Sequence, residues 1–293
     1  MNKMTWGEIV FHIINYIIML LLITICLYPI LYVVFASLSD PIELMGSSGL
    51  LWKPLGLSWD AYREVFRNPN IFIGYRNTIF YVLAGTAFSL LLTIFGAFVL
   101  SRQEFYFKKP LNLFIVFTMF FNGGLIPTFL LVKGVGLYNN PLVLILPTAI
   151  NTWNLMVMRT SFAGIPQSLE ESAHLDGAND LQVLFKIILP LSKSIITVII
   201  LFYGVGIWNA WFNASIYLKD RDLYPLQLFL REVLIYSNTD SMMEGAGSST
   251  DRVGIAETIK YAMIIVSTLP ILLSYPFLQK YFVSGVMVGA VKG

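Results

Sequence analysis

The chain has 293 residues, of which 57% are hydrophobic and only 12% charged, and its net charge is +2. A soluble globular domain typically carries about 25% charged residues, so the composition points to lipid as the main solvent, and so small a charge argues against nucleic-acid binding. The single cysteine, Cys26, lies in an apolar run; alone it can build neither an internal disulfide, a zinc site nor a redox pair, and it is expected as a buried small apolar residue.

A membrane helix needs about 20 mainly apolar residues to cross roughly 30 Å of hydrocarbon. Six stretches meet that requirement: 9–37, 75–100, 111–132, 141–162, 193–217 and 260–283. The first follows Lys3 but is far longer than the about 7–15 residues of a signal-peptide core, so it reads as a span. Residues 38–74 mix Trp52, Pro54, Trp59, Tyr62 and Phe66 with charges. The second span carries Ser89, Thr93 and Ala97 on one stripe, where small residues let helix backbones approach closely. This stripe fits packing within the chain or against another subunit. Arg76 and Arg159 sit near span ends, where long cations can snorkel.

Gly123, Gly124, Pro127 and Pro147 punctuate the third and fourth spans. Membrane helices tolerate such residues where neighbouring helices or a water cavity satisfy the freed backbone groups, so both spans are expected inside a bundle. Residues 163–192 separate spans four and five. Residues 218–259 separate spans five and six and include the polar stretch 237–251, which reads as a mobile loop. Six spans place both termini on one side. The 101–110 loop has Arg102, Lys108 and Lys109, against Lys133 alone in 133–140, which puts the N-terminus inside by charge bias.

The stretch 165–190 reads IPQSLEESAHLDGANDLQVLFKIILP. Pro166 and Ser168 suit a helix start, and Ser168 with Glu171 fits a capping box. The helix would run through Ala173 to Asp176, and Gly177 would end it in the left-handed conformation. Asn179 or Asp180 can cap a second helix to about Leu189, with Pro190 breaking it before span five. The loop therefore predicts helix, tight turn, helix: a compact knob at the membrane surface, exposing small residues at the turn and shaped to enter a groove on another protein.

The same residues resemble the "EAA" loop of ATP-binding-cassette importer permeases: Glu-Ala-Ala, three residues, Gly, nine residues, Ile, one residue, Leu-Pro. Glu171, Ser172, Ala173, Gly177, Ile187, Leu189 and Pro190 fall on that pattern, and Asp176 with Ala178 completes the Asp-Gly-Ala of sugar permeases. The one departure, Ser172, is also small. Asn77-Thr78, the FNGGLIP run at 121–127 and the tail 279–293 resemble the second permease of carbohydrate importers, and FNGGLIP with the VGIWN run at 205–209 resembles the subgroup moving complex oligosaccharides, uronic-acid-containing ones included.

The resemblance implies an all-α membrane protein, a single permease domain over 1–293, with six transmembrane helices and a cytoplasmic helix-turn-helix coupling loop at 163–192. It implies both termini in the cytoplasm of a bacterial cell and segments 38–74 and 218–259 outside. Glu171, Ser172, Ala173, Asp176, Gly177 and Ala178 would couple to an ATPase. The expected partners are a second permease subunit, two ATPase subunits carrying ATP and Mg, an extracytoplasmic sugar-binding protein and membrane lipid. No cofactor and no metal is expected on this chain.

Independently of the resemblance, no G-x-x-x-x-G-K-[ST] phosphate loop occurs, so the chain cannot hydrolyse ATP in the usual P-loop manner; the ATP-driven transport that the resemblance implies needs a partner for it. His12 and His174 are the only histidines; neither has metal-ligand neighbours, and no nucleophile–base set marks an enzyme. Asn122, Asn151, Asn154, Asn209 and Asn213 are hydrogen-bonding groups inside apolar spans, which is costly unless they face a cavity or bridge helices. Trp153, Tyr203, Trp208 and Trp211 could offer ring faces to a sugar or anchor at the membrane interface. Spans three to five are thus the candidate path, centred on Asn122, Asn151, Asn154, Tyr203, Trp208, Asn209 and Trp211. The competing class, a secondary transporter or channel, predicts ionisable residues within the membrane or inverted repeats, and a membrane enzyme needs a reactive cluster; neither signature is evident.

Overall fold

The computed structural model describes residues 5–47, 49–102, 106–243, 257–274 and 276. Helices run through nearly all of it, and the one extended pairing among the described residues is a single bridge between Ser39 and Leu57. In chain order the helices are α1 (Trp6–Ser37), α2 (Pro41–Gly46), α3 (Asp60–Arg67), α4 (Pro69–Ser101), α5 (Lys108–Phe120) and α6 (Leu125–Gly134). After a 3-10 turn at Pro141–Leu144 come α7 (Thr152–Ala163), α8 (Gln167–Leu175), α9 (Asp180–Val183), α10 (Leu189–Leu191), α11 (Lys193–Trp208), α12 (Phe212–Tyr217) and α13 (Leu226–Met243). The last described helix, α14, is Glu257–Ser274.

Of these, α1, α4 and α14 are long and apolar enough to cross a membrane. The expected spans 111–132, 141–162 and 193–217 are each interrupted. α5 and α6 meet at 112°, because Gly124 at φ +89 turns the chain and Asn122 Oδ1 accepts the Gly124 N–H at 2.9 Å. The fourth span dissolves into the 3-10 turn and the non-helical stretch around Pro147, leaving only α7 helical. The fifth breaks between α11 and α12 at residues 209–211. Each break falls at the Gly, Pro or Asn punctuation that free the backbone from the helical ladder. The polar stretch 237–251, expected as a loop, begins as the end of α13; residues 244–256 and the tail 279–293 lie outside the described residues.

Two compact units divide the chain: 1–69 with 230–269, and 70–229 with 270–293. In the first, the loop after α1 folds onto the end of that helix. Ala36, Leu44 and Leu51 form its core, with Tyr32, Phe35, Leu55 and Tyr261 packed around it. The Tyr28 hydroxyl accepts the Leu51 N–H at 2.9 Å, and Ser37 Oγ lies 2.8 Å from the Tyr62 hydroxyl. Within α1 only Ala36 and Ser37 are buried. Cys26, expected buried, is therefore exposed on an apolar face.

The second unit has two cores. One gathers Tyr81 of α4, Val132 of α6, Val143 to Ile145, and Ala214 and Tyr217 of α12. The other joins Ala97 and Phe98 of α4, Leu155, Met158 and Phe162 of α7, Val183, Leu184 and Ile188 of the knob, and Ile199 and Tyr203 of α11. The stripe Ser89, Thr93 and Ala97 is buried within the chain. α5, by contrast, has no buried residue and α6 only Val132. The expectation of spans enclosed in a bundle fails there within a single chain, because α5 is packed along little more than its contact with α7.

Candidate functional site

The segment 166–191 is a helix, a tight turn and a second helical run. α8 begins at Gln167 with Pro166 as its N-cap, and the Leu169 N–H donates to the Pro166 carbonyl at 3.2 Å. The capping box expected from Ser168 and Glu171 does not form: extended Pro166 starts the helix early, so Ser168 lies inside the first turn, where its carbonyl accepts the Ser172 hydroxyl at 2.7 Å.

The helix ends as the sequence predicts. Gly177 has φ +84. Its N–H donates to the His174 carbonyl at 3.0 Å, and the Ala178 N–H reaches back to the Ala173 carbonyl at 2.9 Å. That pair of bonds is the Schellman arrangement, which requires a left-handed residue at the glycine position. His174 Nδ1 adds a 2.9 Å contact to the Ala178 carbonyl. The second run opens on a true capping box: Gln182 N–H donates to Asn179 Oδ1 at 2.9 Å, and Asn179 N–H to Gln182 Oε1 at 3.0 Å.

After α9 the backbone widens into a π-helical turn, Leu184–Ile188. Pro190 was expected to end this run. It is instead carried inside α10, and the 85° bend into α11 comes at Ser192. The wide turn accommodates a proline ring and the N–H it lacks, and such turns recur at functional sites.

The two halves of the knob are held differently. Val183, Leu184 and Ile188 are buried in the core with Phe162 and Met158, and each fully buried side chain of this kind stabilises by about 1.5–3 kcal/mol. α8 has no buried residue at all. Ala173 and Ala178, expected among the small residues exposed at the turn, instead pack toward that core; what stands outward is Leu175, 90% exposed, with Glu171, Ser172, Asp176 and Gly177. Glu171 makes no hydrogen bond or ion pair among the described residues.

The neighbouring Glu170 is the acid that the chain itself uses. It pairs with Arg102, just past the end of α4, and the two side chains are each only 17% exposed. They border a cleft of about 270 Å³ that Ser101, Phe162, Gln167, Glu171, His174 and Asp180 also line. Sequence reading noted Arg102 only as a loop charge and did not single out Glu170. The available signal was topological: with six spans, the ends of spans two and four fall on the same face.

The proposed path residues are distributed over several places. Asn151 caps α7, accepting the Asn154 N–H at 3.1 Å, while its own N–H donates to the Tyr203 hydroxyl at 3.1 Å. That hydroxyl lies 2.7 Å from Thr93 Oγ1. Asn151, Asn154 and Tyr203 are thus brought together on α4, α7 and α11. The Asn154 side chain is buried yet makes no hydrogen bond among the described residues.

Trp208 stacks edge-on to Tyr75 at 6.3 Å and borders an apolar cleft with Val82, Gly204 and Val205. Asn209 turns its amide onto the Val205 carbonyl at 3.0 Å, and Trp211 sits edge-on to Phe212 at 5.5 Å. Asn122 is at the α5–α6 bend. Asn77-Thr78 anchors the 222–226 segment: Asn77 Nδ2 donates to the Asp222 carbonyl at 2.7 Å, and Thr78 Oγ1 accepts the Leu226 N–H at 2.9 Å.

The chain is 42% identical to the polygalacturonan/rhamnogalacturonan transport system permease protein YtcP of Bacillus subtilis (strain 168), over 97% of this chain and 98% of that protein. It is 40% identical to protein LplC of the same organism, over 92% and 90% of the two chains. A solved structure, that of a bacterial ABC transporter involved in the import of the acidic polysaccharide alginate, matches with a TM-score of 0.85 at 31% identity, covering 96% of this chain and 100% of that one. Residues 71–288 match the family described as binding-protein-dependent transport system inner membrane component. The EAA loop is characteristic of that family, whose members are non-enzymatic membrane subunits relying on partner subunits for ATPase activity. With the knob at 166–191 and these matches along almost its whole length, the chain belongs to the binding-protein-dependent transport system inner membrane components, as a permease subunit of the ABC type.

Proposed function

We propose that the chain forms half of the path by which an acidic, uronic-acid-containing oligosaccharide enters a bacterial cell across its inner membrane. The other half is a second permease subunit. Two ATPase subunits binding ATP and Mg supply the energy, and an extracytoplasmic sugar-binding protein delivers the cargo. Both termini and the 163–192 loop are cytoplasmic, while 38–74 and 218–259 face outward toward the binding protein.

One observation carries the coupling role. The knob is closed by a Schellman turn at Gly177 and anchored by Val183, Leu184 and Ile188, while Glu171, Asp176 and Leu175 stand outward without an internal apolar partner. A rigid base with an unfilled outer face suits a groove on an ATPase. The cargo is supported by two relatives whose names speak of polygalacturonan/rhamnogalacturonan and of the acidic polysaccharide alginate. Asn122, Asn151, Asn154 and Asn209 supply amides that both donate and accept toward hydroxyl-rich cargo, Tyr203 supplies a hydroxyl, and Trp208 and Trp211 supply ring faces.

The test is uptake by proteoliposomes holding both permeases and both ATPase subunits, with binding protein outside and ATP inside. Labelled oligogalacturonides should enter in an ATP-dependent manner and neutral malto-oligosaccharides should not. Uptake of the neutral sugar alone, or uptake indifferent to ATP, overturns the reading.

A further inference from the structure

We propose that Arg102 is a positioning residue for coupling: a strut that ties the coupling helix α8, through Glu170, to the ends of both α4 and α7. The inference rests on the coupling role proposed above and names the part that transmits it within this chain.

The guanidinium is fixed on several sides. Its Nε and Nη2 donate to Ser101 Oγ at 3.1 and 2.9 Å, and Nη2 reaches the Phe162 carbonyl, at the end of α7, at 3.5 Å. Its carbon lies 4.9 Å from the centre of the Phe98 ring on α4. Nη1 contacts Glu170 Oε2. A planar, always-charged fork can hold several acceptors in fixed directions, which a lysine cannot.

On the other side of the pair, α8 has few other holds. None of its residues is buried, although Ala173 packs against the core, and its other polar side-chain contacts, Ser172 to the Ser168 carbonyl and His174 to the Ala178 carbonyl and the Asp180 carboxylate, are internal to the knob. Across 68 residues of sequence, the Arg102–Glu170 pair is the ion pair that joins α8 to the membrane helices among the described residues. A shift of α4 against α7 changes the position of one guanidinium, and the acid on α8 follows it. Energetic coupling between sites requires such a physically continuous element.

The experiment uses the whole importer in proteoliposomes, with Arg102→Gln, Glu170→Gln, the double variant and Arg102→Lys, and reads sugar taken up per ATP hydrolysed. Each single variant, including the lysine, should lower that ratio by about fivefold or more, the usual size of a coupling effect, with ATP hydrolysis persisting. The double variant should be no worse than either single, since the residues act as one unit. It also removes both charges, which avoids stranding one of them half-buried.

A wild-type ratio in the singles, or losses that simply add in the double, would refute the strut. So would failure of the double variant to assemble, because the pair would then serve folding and not transmission. A wrong assignment of the transporter itself shows elsewhere, as wild-type complexes that take up no sugar.

Discussion

Gly177 gives the sharpest test of how the knob works, because its surroundings separate backbone strain from crowding. A Cβ added there meets no atom within 4 Å, while φ is +84. Any cost inside the chain is therefore conformational. A left-handed residue with a Cβ costs about 1–2 kcal/mol, which lowers the ratio of correctly closed to open turns about fivefold to thirtyfold. Asparagine tolerates this region better than alanine does, and a β-branched residue tolerates it worst. Coupling should accordingly fall in the order Gly, Asn, Ala, Val at position 177. The assay is binding-protein-stimulated ATP hydrolysis together with uptake by the reconstituted complex. Gly177→Asn should keep most of the stimulation and Gly177→Val should lose nearly all of it, with normal amounts of assembled complex in each. If Gly177→Val couples normally, the turn geometry is irrelevant and the coupling assignment falls. If asparagine and valine fail equally, bulk against a partner is what matters and the conformational argument is wrong.

In a Cys26→Ser background, Lys53→Cys should react with an impermeant thiol reagent in intact cells and Leu175→Cys only after lysis; the opposite pattern inverts the topology. Tyr203→Phe removes the hydroxyl shared by buried Thr93 and the Asn151 N–H, at a cost of about 1–3 kcal/mol for stranding a buried polar group. It should lower the Tm of the solubilised complex, with partial recovery when Thr93→Val is added; an unchanged Tm would show that the shared hydroxyl does not hold these helices together. Asn154→Leu should reduce uptake about two- to tenfold, the worth of one hydrogen bond, and Trp208→Ala should reduce it as well. Wild-type transport by both assembled variants would remove this subunit's sugar contacts.

What could be read from the sequence was what local chemistry decides. Gly177 declared a left-handed turn and Asn179, with Asp180 as the alternative, a cap, since each depends on a few consecutive residues; Gly123 and Gly124 read as punctuation within one span, which the structure breaks at that point. The reading failed where distant residues decide. Ser168 lost its cap because Pro166 caps the helix two residues earlier. Ala173 and Ala178 turned inward because the core built by Phe162 and Val183 lies on that side. Counting apolar residues also overstated continuity: 141–162 contains enough of them for a span, yet the backbone around Pro147 is not helical. Of the adjacent acids, composition cannot say that Glu170 answers Arg102 while Glu171 remains outward; only the phase of α8 against α4 settles it.

The uneven anchoring of the knob divides its evolutionary freedom. Residues 183–188 are committed to Phe162 and Met158, so substitutions there are judged by the permease's own stability. The outer face of α8 answers to no internal neighbour, so under the proposed coupling role a substitution at Leu175 is judged by the partner and not by this chain's own fold. The two halves of one short segment thus answer to different selective demands, stability on the inner side and partnership on the outer.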